Sequence, residues 1–164
     1  MAAKYDVEML LDDIEALLKS KLNTKIAAIE AEKTTLGKAV GLDAINDACY
    51  FQQSWSDKIL QQTPAIFYGL ENIQTQGVNA GTLEVFKIFV EVVLVDSGQD
   101  SYAKTRIHRY SRALKEVFHE NYDKLPFGNK TNIETVRPLS FTIDENSSEE
   151  IKVGGVSIIT VLAS

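Results

Sequence analysis

One cysteine, Cys49, is all the thiol this chain of 164 residues carries, so an intrachain disulfide and a self-contained cysteine metal site are both excluded. With no base beside it in sequence, Cys49 next to Tyr50 and Phe51 reads as a buried structural thiol. Histidine is nearly as scarce. His108 and His119 fall on one predicted helix, about 16 Å apart at a rise of about 1.5 Å per residue, too far to share a metal ion. They read as solvent-exposed. Positive charge is also in deficit: 17 Lys and Arg against 23 Asp and Glu leave a net charge of -6, which disfavours general attraction to a phosphate backbone. No apolar run approaches the roughly 20 residues that span a bilayer. Residues Met1 to Asp6 lack the character of a secretory signal, so a reducing cytoplasm is the expected setting. Without secretion, the sequons at Asn129 and Asn146 carry no information.

Ligand motifs are missing as well. Gly37-Lys38 and Gly41 do not form the glycine-rich run of a phosphate loop, and Gly154-Gly155 lies inside a strand pattern. The acidic stretch Asp144 to Glu150 lacks the alternating ligands of an EF-hand and reads as a solvated turn. No catalytic constellation, metal site or cofactor is expected, and the function points to assembly, not to catalysis.

What is present is strong hydrophobic patterning. Asp6 caps a helix whose apolar residues Val7, Leu10, Leu11, Ile14, Leu17, Leu18 and Leu22 draw one stripe, weakening through Ile26 and Ile29 and fraying near Glu32. A second helix over about Asp100 to Tyr122 turns Ala103, Ile107, Tyr110, Leu114, Val117 and Phe118 inward and Lys104, Arg106, Arg109, Arg112 and Lys115 outward. Strands are expected at Ala65 to Ile73 and Leu83 to Val95, joined as an antiparallel hairpin with a longish tip over Gln74 to Gly81. Two more close the chain, about Ile133 to Ile143 and Ile151 to Leu162, the last apolar on both faces. Gly154-Gly155 marks a bulge or a close backbone approach.

The expectation is one α+β domain over 1–164, an antiparallel sheet packed against two amphipathic helices in the order α-β-β-α-β-β. A less regular connector occupies 33–62, with a short helix near Asp43 to Ala48 and a strand or ordered loop at Cys49 to Trp55.

Three elements are candidate contact surfaces. One face of the Leu83 strand carries Phe86, Ile88, Val90, Val92 and Leu94; the other sets Lys87 and Glu91 around Phe89, a mixture that suits a partly covered second surface. The hairpin tip, with Gln76 and Val78, is the second. The third is the stripe Arg106, Arg109, Arg112, Lys115, which reads either as a solvated face or as a contact for Asp12 and Asp13, or for the acidic turn, of a neighbouring copy.

The stripe Val7 to Leu18, the strand Pro64-Ala65-Ile66-Phe67-Tyr68, the strand Leu83 to Val95, the helix Tyr102 to Phe118 and the closing strands Leu139 to Ile143 and Val153 to Leu162 together resemble bacteriophage tail terminator proteins. The segment 33–62 departs from that pattern and reads as an insertion. The resemblance implies a homo-oligomeric ring, of six copies, that stops tube polymerisation and joins tail to neck in the virion after assembly in the host cytoplasm. Implied partners are sister copies, the tail tube protein and a neck or connector protein, with the sheath a further candidate. No membrane and no sequence-specific nucleic acid is involved. Alternatives within the virion are a head–tail connector, a neck part or a tube subunit. Outside it stand a small-ligand or enzymatic domain using Tyr50, Phe51, Trp55, Phe67 and Tyr68 as a pocket, and a nucleic-acid module using the basic helix.

Overall fold

The computed structural model describes residues 5–55, 62–78, 81–96, 102–142 and 149–163. Helix α1 runs over Val7–Thr35, strand β1 over Tyr50–Phe51, β2 over Ala65–Val78, β3 over Gly81–Asp96, helix α2 over Ala103–Glu120, β4 over Asn132–Thr142 and β5 over Glu150–Thr160. The sheet order is β1-β2-β3-β5-β4. Every pairing is antiparallel except β1 with β2, which is parallel. The α+β class holds, but the sheet is mixed and has one strand more than the six-element order expects.

Both helices pack on one face of the sheet, α2 across β5, β4 and β3, and α1 against α2 and β2. The expected stripe of α1 is buried from Leu10 to Ile29, and the Asp6 carboxylate accepts the Met9 amide at 3.0 Å as its cap. Truncating a core residue such as Leu18, which has no exposure, costs about 2–5 kcal/mol. Helix α1 does not fray near Glu32. Ile26 and Ile29 stay buried, and the helix stops only where Gly37 takes φ +68 and Lys38 N–H returns to the Lys33 carbonyl at 2.8 Å.

The connector is a strap fastened to both helices. Asn23 on α1 acts as a one-residue strand partner: its side chain donates to the Ile45 carbonyl at 2.9 Å and accepts the Ile45 amide at 2.7 Å. Glu30 accepts the amides of Val40 and Gly41 at 3.1 and 2.8 Å. The only helical turn in the described part of the strap is a 3-10 turn at Asp47–Cys49, which leads into β1. Cys49 is buried.

Close approach of α2 to the sheet rests on Gly154, where a Cβ would lie 2.6 Å from Ser111 Oγ and 3.0 Å from Ile107 Cγ1. Strand β5 lies inside the sheet, between β3 and β4, as an apolar strand should. The hairpin differs from expectation. Gln74 to Val78 and Gly81 are strand, not a loose tip, in register as Gln74↔Val85, Gln76↔Leu83 and Val78↔Gly81. Residues 79–80 lie outside the described residues, as do 97–101 at the start of the second helix and 143–148 of the acidic turn.

Candidate assembly surface

The basic stripe of α2 does not face solvent as a set. Arg109 is only 9% exposed, donates to the Lys38 carbonyl at 2.7 Å and lies 3.5 Å from the Glu30 carboxylate. Arg106 donates to the Val40 carbonyl at 2.9 Å, and Tyr110 to that of Asp43 at 2.8 Å. Arg112 bridges Glu32 and Glu116, and its hydrogen bonds, with one from Lys33, hold the Glu32 carboxyl down at about 2. Lys115 is half-buried. The strap and the C-terminal part of α1 lie where the sequence pattern predicts water or a partner. The outward placement of Arg109 is therefore corrected, and the basic face a nucleic-acid reader needs is largely occupied from within the chain. Asp12 and Asp13 are exposed near the start of α1, with Tyr5 donating to Asp13 at 2.6 Å. Both histidines are exposed.

The hairpin leaves the sheet. Strand β5 pairs with β3 only from Phe86 onward, so Gln74 to Val78 and Gly81 to Val85 continue as a two-stranded ribbon about 15 Å long at about 3.3 Å per residue. All of 71–78, including Gln76, is exposed. Ile73 is 50% and Val78 43% exposed, although both are β-formers.

The sheet face opposite the helices is the third surface. The register places Lys87, Phe89 and Glu91 of β3 on it, beside Ser157 and Gly155 of β5 and Val136, Leu139 and Phe141 of β4. Leu139 and Phe141 are 50% and 39% exposed, and Trp55 from the strap packs on Phe141 with ring centroids 5.0 Å apart. A bulge between Leu70 and Asn72 sets Glu71 beside Lys87, and the two pair at 3.3 Å. Between these groups lies a half-open cavity of about 360 Å³, lined by Ser54, Trp55, Glu71, Lys87, Phe89, Glu91, Val136 and Ser157. Two glycines make room for it. Gly69 lets the Phe89 ring lean over β2, 3.2 Å from where a Cβ would sit, and Gly155 leaves no side chain opposite Glu91. Burial, then the nearby Glu71, pushes the Glu91 carboxyl above the usual carboxylate range.

The aromatic pocket expected from Tyr50, Phe51, Trp55, Phe67 and Tyr68 does not form as a unit. Tyr50, Phe67 and Tyr68 are buried in the core, Phe51 packs on Phe67 at 5.1 Å, and only Trp55 reaches the cavity. Strand alternation divides them, since Tyr50 and Tyr68 turn toward the helices. Lys87, Phe89 and Glu91 are thus brought together as expected. Ser157, Val136 and Trp55 join them through long-range register, for which the glycines in strand patterns are the sequence-level sign. Among the described residues no helix is long and apolar enough to cross a membrane, and no three His, Cys, Asp or Glu side chains converge as a metal site. The chain matches no known protein family, and no curated protein matches it in sequence.

Proposed function

We propose that this protein is a virion structural subunit that closes into a homo-oligomeric ring, caps the end of a tail tube and joins it to the neck. The observation that carries the reading is the projecting β2–β3 ribbon. A two-stranded ribbon whose β2 strand is exposed throughout is marginal by itself in water, and one that offers Ile73 and Val78 gains stability when a second surface covers it. The sheet face bearing Phe89, Leu139 and Phe141 is a receiving surface of matching character, apolar groups set among Glu71, Lys87 and Glu91. A ribbon on one copy laid on the sheet of the next is a head-to-tail contact, and such contacts close into rings when the rotation permits. The same surfaces at the ring's end would meet the last ring of tube protein on one side and a neck protein on the other.

Size-exclusion chromatography with light scattering, followed by electron microscopy, tests the reading. Short discrete rings are expected. Ile73→Asp with Val78→Asp should yield monomer that keeps the native circular dichroism spectrum, because neither side chain belongs to the core. A wild-type monomer at high concentration, or long tubes in place of rings, would refute it.

A further inference from the structure

We propose that the cavity over Glu91 is a binding site for an organic cation, an alkylammonium or guanidinium group. Glu91 makes no hydrogen bond or ion pair among the described residues, while its neighbour Glu71 is answered by Lys87 at 3.3 Å. The lining therefore holds two carboxylates against one ammonium, and the unanswered charge is the more buried one. A second group lacks a partner too. Ser157 is 8% exposed, lines the same cavity one register step from Glu91, and its Oγ has no hydrogen-bond partner. Buried hydroxyls left in that state are uncommon. A carboxylate and an unpartnered hydroxyl lining one space call for a donor with several N–H groups. The walls agree: Trp55 and Phe89 present rings, which attract cations and suit an alkyl or planar guanidinium body better than a hydrated metal ion. The volume of about 360 Å³ fits a small organic group.

Such a group arrives either as a free small molecule or as a Lys or Arg side chain of a sister copy, and the second source rests on the assembly reading above. Agmatine, which carries both head groups, is the probe, and Trp55, the chain's one tryptophan, reports on the cavity by its emission. At constant ionic strength wild type should give a saturable emission change, and Glu91→Gln should shift the midpoint by at least about tenfold. Ser157→Val, which fills the space without touching the carboxylate, should weaken it as well. With a sister side chain as natural occupant, agmatine lowers the particle mass of wild type and Glu91→Gln shows that lower mass without ligand. With a free molecule as occupant, mass does not respond. A midpoint that both variants leave in place overturns the proposal, as does a flat wild-type titration with an unchanged Glu91→Gln mass. Saturable emission from a protein that stays monomeric would retain the cation site and refute the ring.

Discussion

Replacing Arg109 by methionine should destabilise the protein far more than the same change at Arg112, one turn along the same stripe. Arg109 is 9% exposed and ties α2 to the strap through the Lys38 carbonyl at 2.7 Å and to α1 through Glu30 at 3.5 Å. Breaking a fully buried pair from one side costs about 3–5 kcal/mol. Two facts lower that figure here. Glu30 keeps its two amide donors, and Lys38 is exposed enough for water to replace the guanidinium. Losing one charge-assisted hydrogen bond costs about 1.5–3 kcal/mol, so the loss should be about 2–3 kcal/mol. For a chain of this length each kcal/mol moves the melting temperature by about 2–4 °C, which gives a fall of about 5–10 °C. Arg112 is 40% exposed in its pairs with Glu32 and Glu116, where ion pairs contribute about 0–1 kcal/mol, so Arg112→Met should stay within about 3 °C of wild type. Thermal melts by circular dichroism decide. Equal melting temperatures for the two variants would refute the assignment of Arg109 to internal bracing. Loss of oligomer mass by Arg109→Met without a drop in melting temperature would return the stripe to the surface.

Two further outcomes are expected. Gly155→Ala should destabilise by about 2–4 kcal/mol in urea unfolding, because the residue holds φ +151 and its Cβ would press on the Val90 carbonyl; a loss under about 0.5 kcal/mol would contradict the register. Glu91→Gln should stabilise the ligand-free protein at neutral pH. The folded chain resists ionising this carboxyl, so above the ordinary carboxylate value the native state keeps a proton that the unfolded chain has lost. The penalty grows as pH rises through the folded value and is absent below about pH 4. The gain in melting temperature should follow the same course, and a gain independent of pH would exclude this cause.

The two helices were legible because a stripe at 3.6 residues records directly which side is buried, and every predicted inner residue of α2 is buried. The α+β class and the paired long strands were legible for the same reason. The ribbon was not. Gln74, Thr75, Gln76 and Gly77 have no apolar alternation to display, since neither of their faces meets a core. The arginine stripe misled because spacing tells which residues share a face, not what lies against it. Its true neighbours, Lys38, Val40 and Glu30, are more than 65 residues away in sequence. Of the candidate surface, Lys87, Phe89 and Glu91 could be read from one strand, whereas Ser157 and Trp55 come to them only through register and the strap.

The edge strand β4 also limits what can pair with the sheet. Between Val136 and Leu139 the β4 ladder shifts by one residue, at a place that holds Pro138, which has no amide proton to offer a neighbour. Edge-on stacking of sheet upon sheet, the route by which β-proteins grow into open-ended fibrils, is interrupted there. On the β4 side the sheet therefore offers a broken ladder to any further strand, whereas the β2–β3 ribbon runs on past the sheet in unbroken register.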